Sequence, residues 1–149
     1  MSARLPPDAA EVLWAERSIE RVLRTYARAA DHRDAARILD CFHPDARIEE
    51  GEFSGGPDAL VDWLEALQPS VDRTAHLLGP PLIELDVPGS SAQVESSCVQ
   101  VRVLPRDTEG VTHQALLGLR WVDRFELRSS SWRIASRRGV TDWSQALRR

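Results

Sequence analysis

The chain changes character once, near Arg73, and that change limits its fold more than any other feature. Before it, apolar residues recur at helical spacing. Val12, Leu13, Ile19, Val22, Leu23, Tyr26, Ala27 and Ala30 trace one amphipathic helix, with Arg17, Arg21, Arg24 and Arg28 on its outer face. Pro6-Pro7-Asp8 reads as its start, with Asp8 as the cap. Asp31-His32-Arg33-Asp34 breaks the helix. Asp34 can cap a short second helix carrying Ala35, Ile38, Leu39 and Phe42, which His43-Pro44-Asp45 ends because proline cannot continue it. Residues 46–50 suit a short strand and 51–57 a loop. Pro57 opens a third helix with Ala59, Leu60, Trp63, Leu64 and Leu67 on its apolar face, stopped by Pro69. Beyond Arg73 the segments 73–86, 92–104, 111–127 and 132–141 are rich in β-branched, Leu and Trp residues. Pro88-Gly89-Ser90, Pro105-Arg106-Asp107 and Ser129-Ser130-Ser131 separate them as turns. Helices first and a meander of long antiparallel strands later is the α+β pattern: three helices covering a strongly curved, mostly antiparallel sheet.

The 149 residues suit one domain with a core at about 9–144. A net charge of −4, with acidic residues interrupting the arginines, argues against a nucleic-acid partner, which needs a clustered basic face. The tail Leu147-Arg148-Arg149 is too short to supply one. Cys41 and Cys98 form neither a metal-ligand spacing nor a disulfide framework and read as buried thiols in a reducing compartment. The first seven residues lack the apolar run of a signal peptide, and no segment approaches the ~20 apolar residues of a membrane span. A cytoplasmic protein with no membrane partner is the expectation.

A bent sheet under a helix layer leaves a hollow at its open end, where small-molecule sites are favoured. Asp31 closes the first helix. His76 lies among apolar residues in Arg73-Thr74-Ala75-His76-Leu77-Leu78-Gly79. A histidine with a carboxylate in reach is a candidate general base; the residues alone suit better a hydrogen-bonded core histidine beside a helix-ending residue. Either Glu49 or Glu50 must face inward, because strand side chains alternate; Glu50 could shuttle a proton, or be a solvated strand end. Trp132 and Trp143 suit sheet packing, whereas Trp63 and Trp121 could wall a pocket. One of Arg137 and Arg138 should point inward, to hold an anionic group or to pair with Asp123 or Asp142. The four histidines contain no i, i+4 ligand pair, and Gly55-Gly56 lacks the strand and lysine of a phosphate loop.

Several segments carry a resemblance. Tyr26-Ala27-Arg28-Ala29-Ala30-Asp31-His32-Arg33-Asp34, Cys41-Phe42-His43-Pro44-Asp45-Ala46, Phe53-Ser54-Gly55-Gly56 and Thr74-Ala75-His76-Leu77-Leu78-Gly79 resemble the SnoaL-like branch of the nuclear transport factor 2-like superfamily. So do Arg120-Trp121-Val122-Asp123-Arg124-Phe125 and Trp132-Arg133-Ile134-Ala135 with Thr141-Asp142-Trp143. The resemblance implies a cone-shaped α+β barrel with a deep pocket. Scytalone dehydratase, hexachlorocyclohexane dehydrochlorinase and bile acid 7α-dehydratase of that branch use an Asp–His pair at the positions of Asp31 and His76. They abstract a proton from carbon and expel a group from the next carbon, with no metal or organic cofactor. Tyr26 matches a pocket tyrosine of the bile acid enzyme. Scytalone dehydratase's second pocket His and its Asn align here with Leu104 and Trp121, which makes scytalone a poor substrate.

The expected activity is therefore a lyase acting on a hydrophobic hydroxylated ring or a polyketide- or steroid-like molecule. His76 would be the base and Asp31 its orienting partner, with Tyr26 and Arg137 anchoring substrate and Trp63 and Trp121 forming walls. The resemblance leaves two alternatives: a ketosteroid-isomerase-like enzyme using Glu50, whose position matches that family's base, and a non-catalytic binding module. It also implies a homodimer or homotrimer.

Overall fold

Ile19, Leu23 and Tyr26 fall on one side of the first helix, and each is at most 2% exposed. That stripe sets the helix on the sheet. The computed structural model describes residues 8–86 and 90–148. The expected helix start at Pro6-Pro7 and the Pro88-Gly89 part of one turn lie outside them. The first helix, α1, runs Ala9–His32, with Asp8 at its cap position but no side-chain capping bond. It ends where Arg33 turns left-handed at φ 56°, and Asp34 then caps α2 (Ala35–Asp40) by accepting from the Arg37 backbone N–H. Phe42, expected on that helix, instead opens β1 (Phe42–Glu50). Pro44 is accommodated inside the strand, where the pairing register shifts between Phe42 and Arg47. After β2 (Phe53–Gly55), Pro57 begins α3 (Pro57–Leu67), and a short 3₁₀ turn containing Pro69 follows.

The segment expected to be one strand at 73–86 is two, β3 (Arg73–Leu78) and β4 (Leu82–Asp86). Pro80 and Pro81 interrupt it, because neither can donate to a ladder. Both pieces pair antiparallel with β5 (Ser91–Val103), which pairs with β6 (His113–Arg128) and that in turn with β7 (Ser131–Arg148). The strand order is β2-β1-β7-β6-β5-β3, with β4 also on β5 and with β1 parallel to β7. The last strand thus extends well past the expected end at 141.

Helices packed on a curved sheet that does not close confirm the α+β reading. The core lies between α1 and the inner sheet face, around Ile19, Leu23, Phe42, Ile48, Phe125 and Ile134. Cys41 and Cys98 are buried, unpaired thiols, and burial pushes each up to about 11. Trp132 is in the core, while Trp143 is 47% exposed and lies where a side chain on Gly118 would stand. Among the described residues no helix is long and apolar enough to cross a membrane.

Candidate functional site

The left-handed Arg33 does more than end α1. Its guanidinium donates to the carbonyls of Val71 (2.6 Å) and Asp72 (3.0 Å), tying the end of the helix to the chain just before β3. Asp31, two residues earlier, therefore arrives beside the inward-facing residues of β3, Thr74 and His76. Its Oδ1 accepts from the Thr74 hydroxyl at 2.8 Å and lies 2.6 Å from His76 Nδ1. Its Oδ2 accepts from the His76 backbone N–H at 2.9 Å. Burial works against the Asp31 carboxylate, but the bonds from the His76 ring, the His76 backbone and Thr74 outweigh it and hold the carboxyl below its ordinary value. The two residues chosen from sequence are thus brought together, with the His76 side chain only 6% exposed and Asp31 21%.

What covers the ring is Gln100, which sequence reasoning missed. Gln100 is the cross-strand partner of His76 on β5, and its amide lies 2.9 Å from Nε2. Arg102, two residues on and facing the same way, donates from Nε to Gln100 Oε1 at 2.7 Å. No local motif marks Gln100; only the β3–β5 register gives it this place. Leu104, aligned from sequence with a second pocket histidine, lies beyond the end of β5. Trp121, aligned with the pocket asparagine, is fully buried with its ring 5.9 Å from that of His76.

Glu50 is the inward glutamate and Glu49 the exposed one. Gly139 of β7 is in register with Glu50 on one side and Trp121 on the other. With no side chain there, Glu50 reaches across, and its Oε1 accepts from Trp121 Nε1 at 3.2 Å. A Cβ on Gly139 would stand 2.7 Å from Glu50 Cγ. Gly139→Ala should therefore displace Glu50, cost about 1–3 kcal/mol in urea unfolding, and shift the Trp121 indole N–H resonance. An unmoved resonance would show that Glu50 does not depend on that gap.

Arg137 is the inward arginine, and it pairs with Asp123 rather than Asp142, which binds Arg120. Its Nε and Nη2 reach the two Asp123 oxygens at 2.8 and 2.7 Å. The guanidinium is sandwiched, 4.3 Å from the Tyr26 ring centre and 4.3 Å from that of Trp121. Burial opposes its charge, but Asp123 more than compensates and raises its pKa. Burial, then the Glu50 charge, pushes the Tyr26 phenol well above its usual range. Among the described residues, Arg137 Nη1 and Glu50 Oε2 are buried with no hydrogen-bond partner. Trp63 is half-buried on α3 and tilts against Phe53, with ring centres 5.5 Å apart. No group of three His, Cys, Asp or Glu among the described residues is placed to hold a metal ion.

A curved sheet under three helices, with an Asp–His pair on its inner face, defines a cone of the nuclear transport factor 2-like class. The chain belongs to the SnoaL-like domain family, whose model matches residues 11–138. No curated protein matches it by sequence at a significant level. Among solved structures it is similar to a candidate scytalone dehydratase from Novosphingobium aromaticivorans, at 19% identity and a TM-score of 0.79, covering 92% of this chain and 90% of that one. It is similar to a type 3 hexachlorocyclohexane dehydrochlorinase from Novosphingobium barchaimii, at 17% identity and a TM-score of 0.82, covering 93% and 94%. A protein of unknown function from Mycobacterium tuberculosis is 25% identical, with a TM-score of 0.73 and coverage of 95% and 78%.

Proposed function

We propose that this protein is a lyase of the dehydratase type, acting on a hydrophobic hydroxylated cyclic molecule such as a polyketide- or steroid-like β-hydroxy ketone. The observation that carries the reading is the 2.6 Å contact between Asp31 and His76 Nδ1, with Asp31 itself fixed by Thr74 and by the His76 backbone. A carboxylate in that position takes the Nδ1 proton as its hydrogen bond and leaves Nε2 as the basic nitrogen.

The step balances within the pair. Nε2 takes the proton from the carbon beside the carbonyl. The C–H electron pair becomes the new C=C bond, the C–O bond on the next carbon breaks, and the hydroxyl leaves as water with the proton His76 returns. No hydride or external electron is required, so the chemistry calls for no redox cofactor. Tyr26 and the free Nη1 of Arg137 would hold the substrate oxygen that gathers charge. Trp121 and Trp63 would wall the apolar part. Two neighbours whose names describe eliminations, a candidate dehydratase and a dehydrochlorinase, support the reaction class by analogy of fold.

The test is to offer cyclic β-hydroxy ketones and follow the ultraviolet absorbance of the conjugated enone. Enone formation is the expected result. Recovery of every bound ligand unchanged would mean a binding module. A shifted double bond with no loss of water would favour an isomerase, the reading supported by the unpartnered Glu50 Oε2.

A further inference from the structure

Gln100 has no part in the elimination above, yet it sits on the nitrogen that would perform it. Its orientation is forced. A guanidinium only donates, so the 2.7 Å contact from Arg102 Nε must end on the carbonyl oxygen of the amide. The amide NH₂ is then the atom 2.9 Å from His76 Nε2. An NH₂ group has no acceptor to offer, so Nε2 must accept, and the ring carries its proton on Nδ1, toward Asp31. Two independent neighbours therefore specify the same tautomer.

They act on different nitrogens. Asp31 accepts a hydrogen bond from the proton carried on Nδ1. Gln100 excludes a proton from Nε2, because Nε2–H and the amide N–H would then face each other. Turning the amide over would break its bond to Arg102 and point the NH₂ at a cation. Near the ring are also Thr74 on β3, bonded to Asp31, the buried Cys98 thiol of β5, which feels the Asp31 charge, and the uncharged Trp121 on β6, backed by Glu50 of β1 and by the Arg137 guanidinium of β7. Arg102 adds a positive charge on the Gln100 side. Gln100 is itself only 8% exposed, so water does not readily replace it.

We propose that Gln100, pinned by Arg102, is a positioning residue that keeps His76 unprotonated at Nε2 and must swing off that nitrogen when a ligand binds. A ligand that displaces it has to offer its freed N–H an acceptor, which points to a carbonyl oxygen beside the acidic carbon. The inference rests on the lyase reading for its catalytic meaning, since it concerns the same base. Its test needs no turnover.

Nitrogen-detected NMR of the ligand-free protein reports each ring nitrogen of His76, assigned by the signal lost in His76→Ala. In the parent protein Nε2 should have the shift of an unprotonated nitrogen and Nδ1 that of a protonated one. Gln100→Leu removes the opposing amide and keeps Arg102. At a fixed pH near neutral it should move the Nε2 shift toward that of a protonated nitrogen. Gln100→Glu, nearly the same shape but with an acceptor toward Nε2, should move it further, and carries the test if the leucine variant does not fold. An Nε2 shift unmoved in Gln100→Glu, or an Nε2–H tautomer in the parent, overturns the inference. If that happens while His76→Ala still abolishes turnover, the lyase reading survives and only the role of Gln100 falls.

Discussion

His76→Ala should lower kcat/KM for a β-hydroxy ketone substrate by about 10³-fold or more while the protein still folds, because removing a positioned base typically costs 10²–10⁴-fold. The fold should survive because the rest of the cluster holds together without the ring. In the alanine variant Asp31 still accepts from the Thr74 hydroxyl and from the backbone N–H of residue 76, so α1 and β3 remain joined. Arg33 keeps its two bonds to the carbonyls before β3. The expected loss is a hydrogen-bonded ring, about 1–3 kcal/mol, or roughly 2–4 °C of Tm per kcal/mol for a chain of this size. The comparison that gives the result meaning is Glu50→Gln. Glutamine preserves the shape and can still accept from Trp121 Nε1. If His76 is the base, Glu50→Gln retains most activity. Activity that persists in His76→Ala and disappears in Glu50→Gln would move the chemistry to Glu50 and make the protein an isomerase of the alternative kind.

The two halves of the Asp31–His76 pair sit in segments with local signals, a helix end and an apolar strand start, but those signals suit a core histidine as well, and it is the resemblance to the SnoaL-like branch that singles the pair out. What sequence could not supply was register. Gln100 and Arg102 lie in Ser96-Ser97-Cys98-Val99-Gln100-Val101-Arg102, where alternation puts them on one face but does not say which face or opposite what. Only the pairing of His76 with Gln100 across β3 and β5 decides that. The same is true of Gly139, which looked like any glycine until the registers placed it between Glu50 and Trp121. Phe42 was misplaced for the opposite reason: its helical spacing from Ala35, Ile38 and Leu39 was real, but the partner strand β7 takes up the backbone from Phe42 onward. The proposed open hollow is also altered. The nitrogen that would face a substrate is covered by the Gln100 amide at 2.9 Å.

Asp123→Ala should be the most destabilising single change in the inner layer, costing about 3–5 kcal/mol, a Tm fall on the order of 10 °C at the usual scaling. Both side chains of the Arg137–Asp123 pair are 0% exposed. Removing the carboxylate leaves a guanidinium that cannot lose its proton, with Nε and Nη2 stripped of their acceptors and Nη1 unpartnered already. The aromatic faces of Tyr26 and Trp121 offset part of this, since a desolvated cation over a ring gains about 2 kcal/mol. They cannot supply the missing acceptors. Removing both charges, as in Asp123→Leu with Arg137→Met, should recover most of the loss, because an apolar pair of similar volume avoids desolvating two ions. That double variant also separates the two uses of Arg137. If its guanidinium serves only the fold, the stable double variant binds a cyclic β-hydroxy ketone as the parent does. If Nη1 holds the substrate oxygen, stability returns in thermal melts while affinity stays at least tenfold weaker, the cost of about one charge-assisted hydrogen bond. Undiminished affinity in a double variant of restored stability would remove Arg137 from the binding site and leave Tyr26 to hold that oxygen.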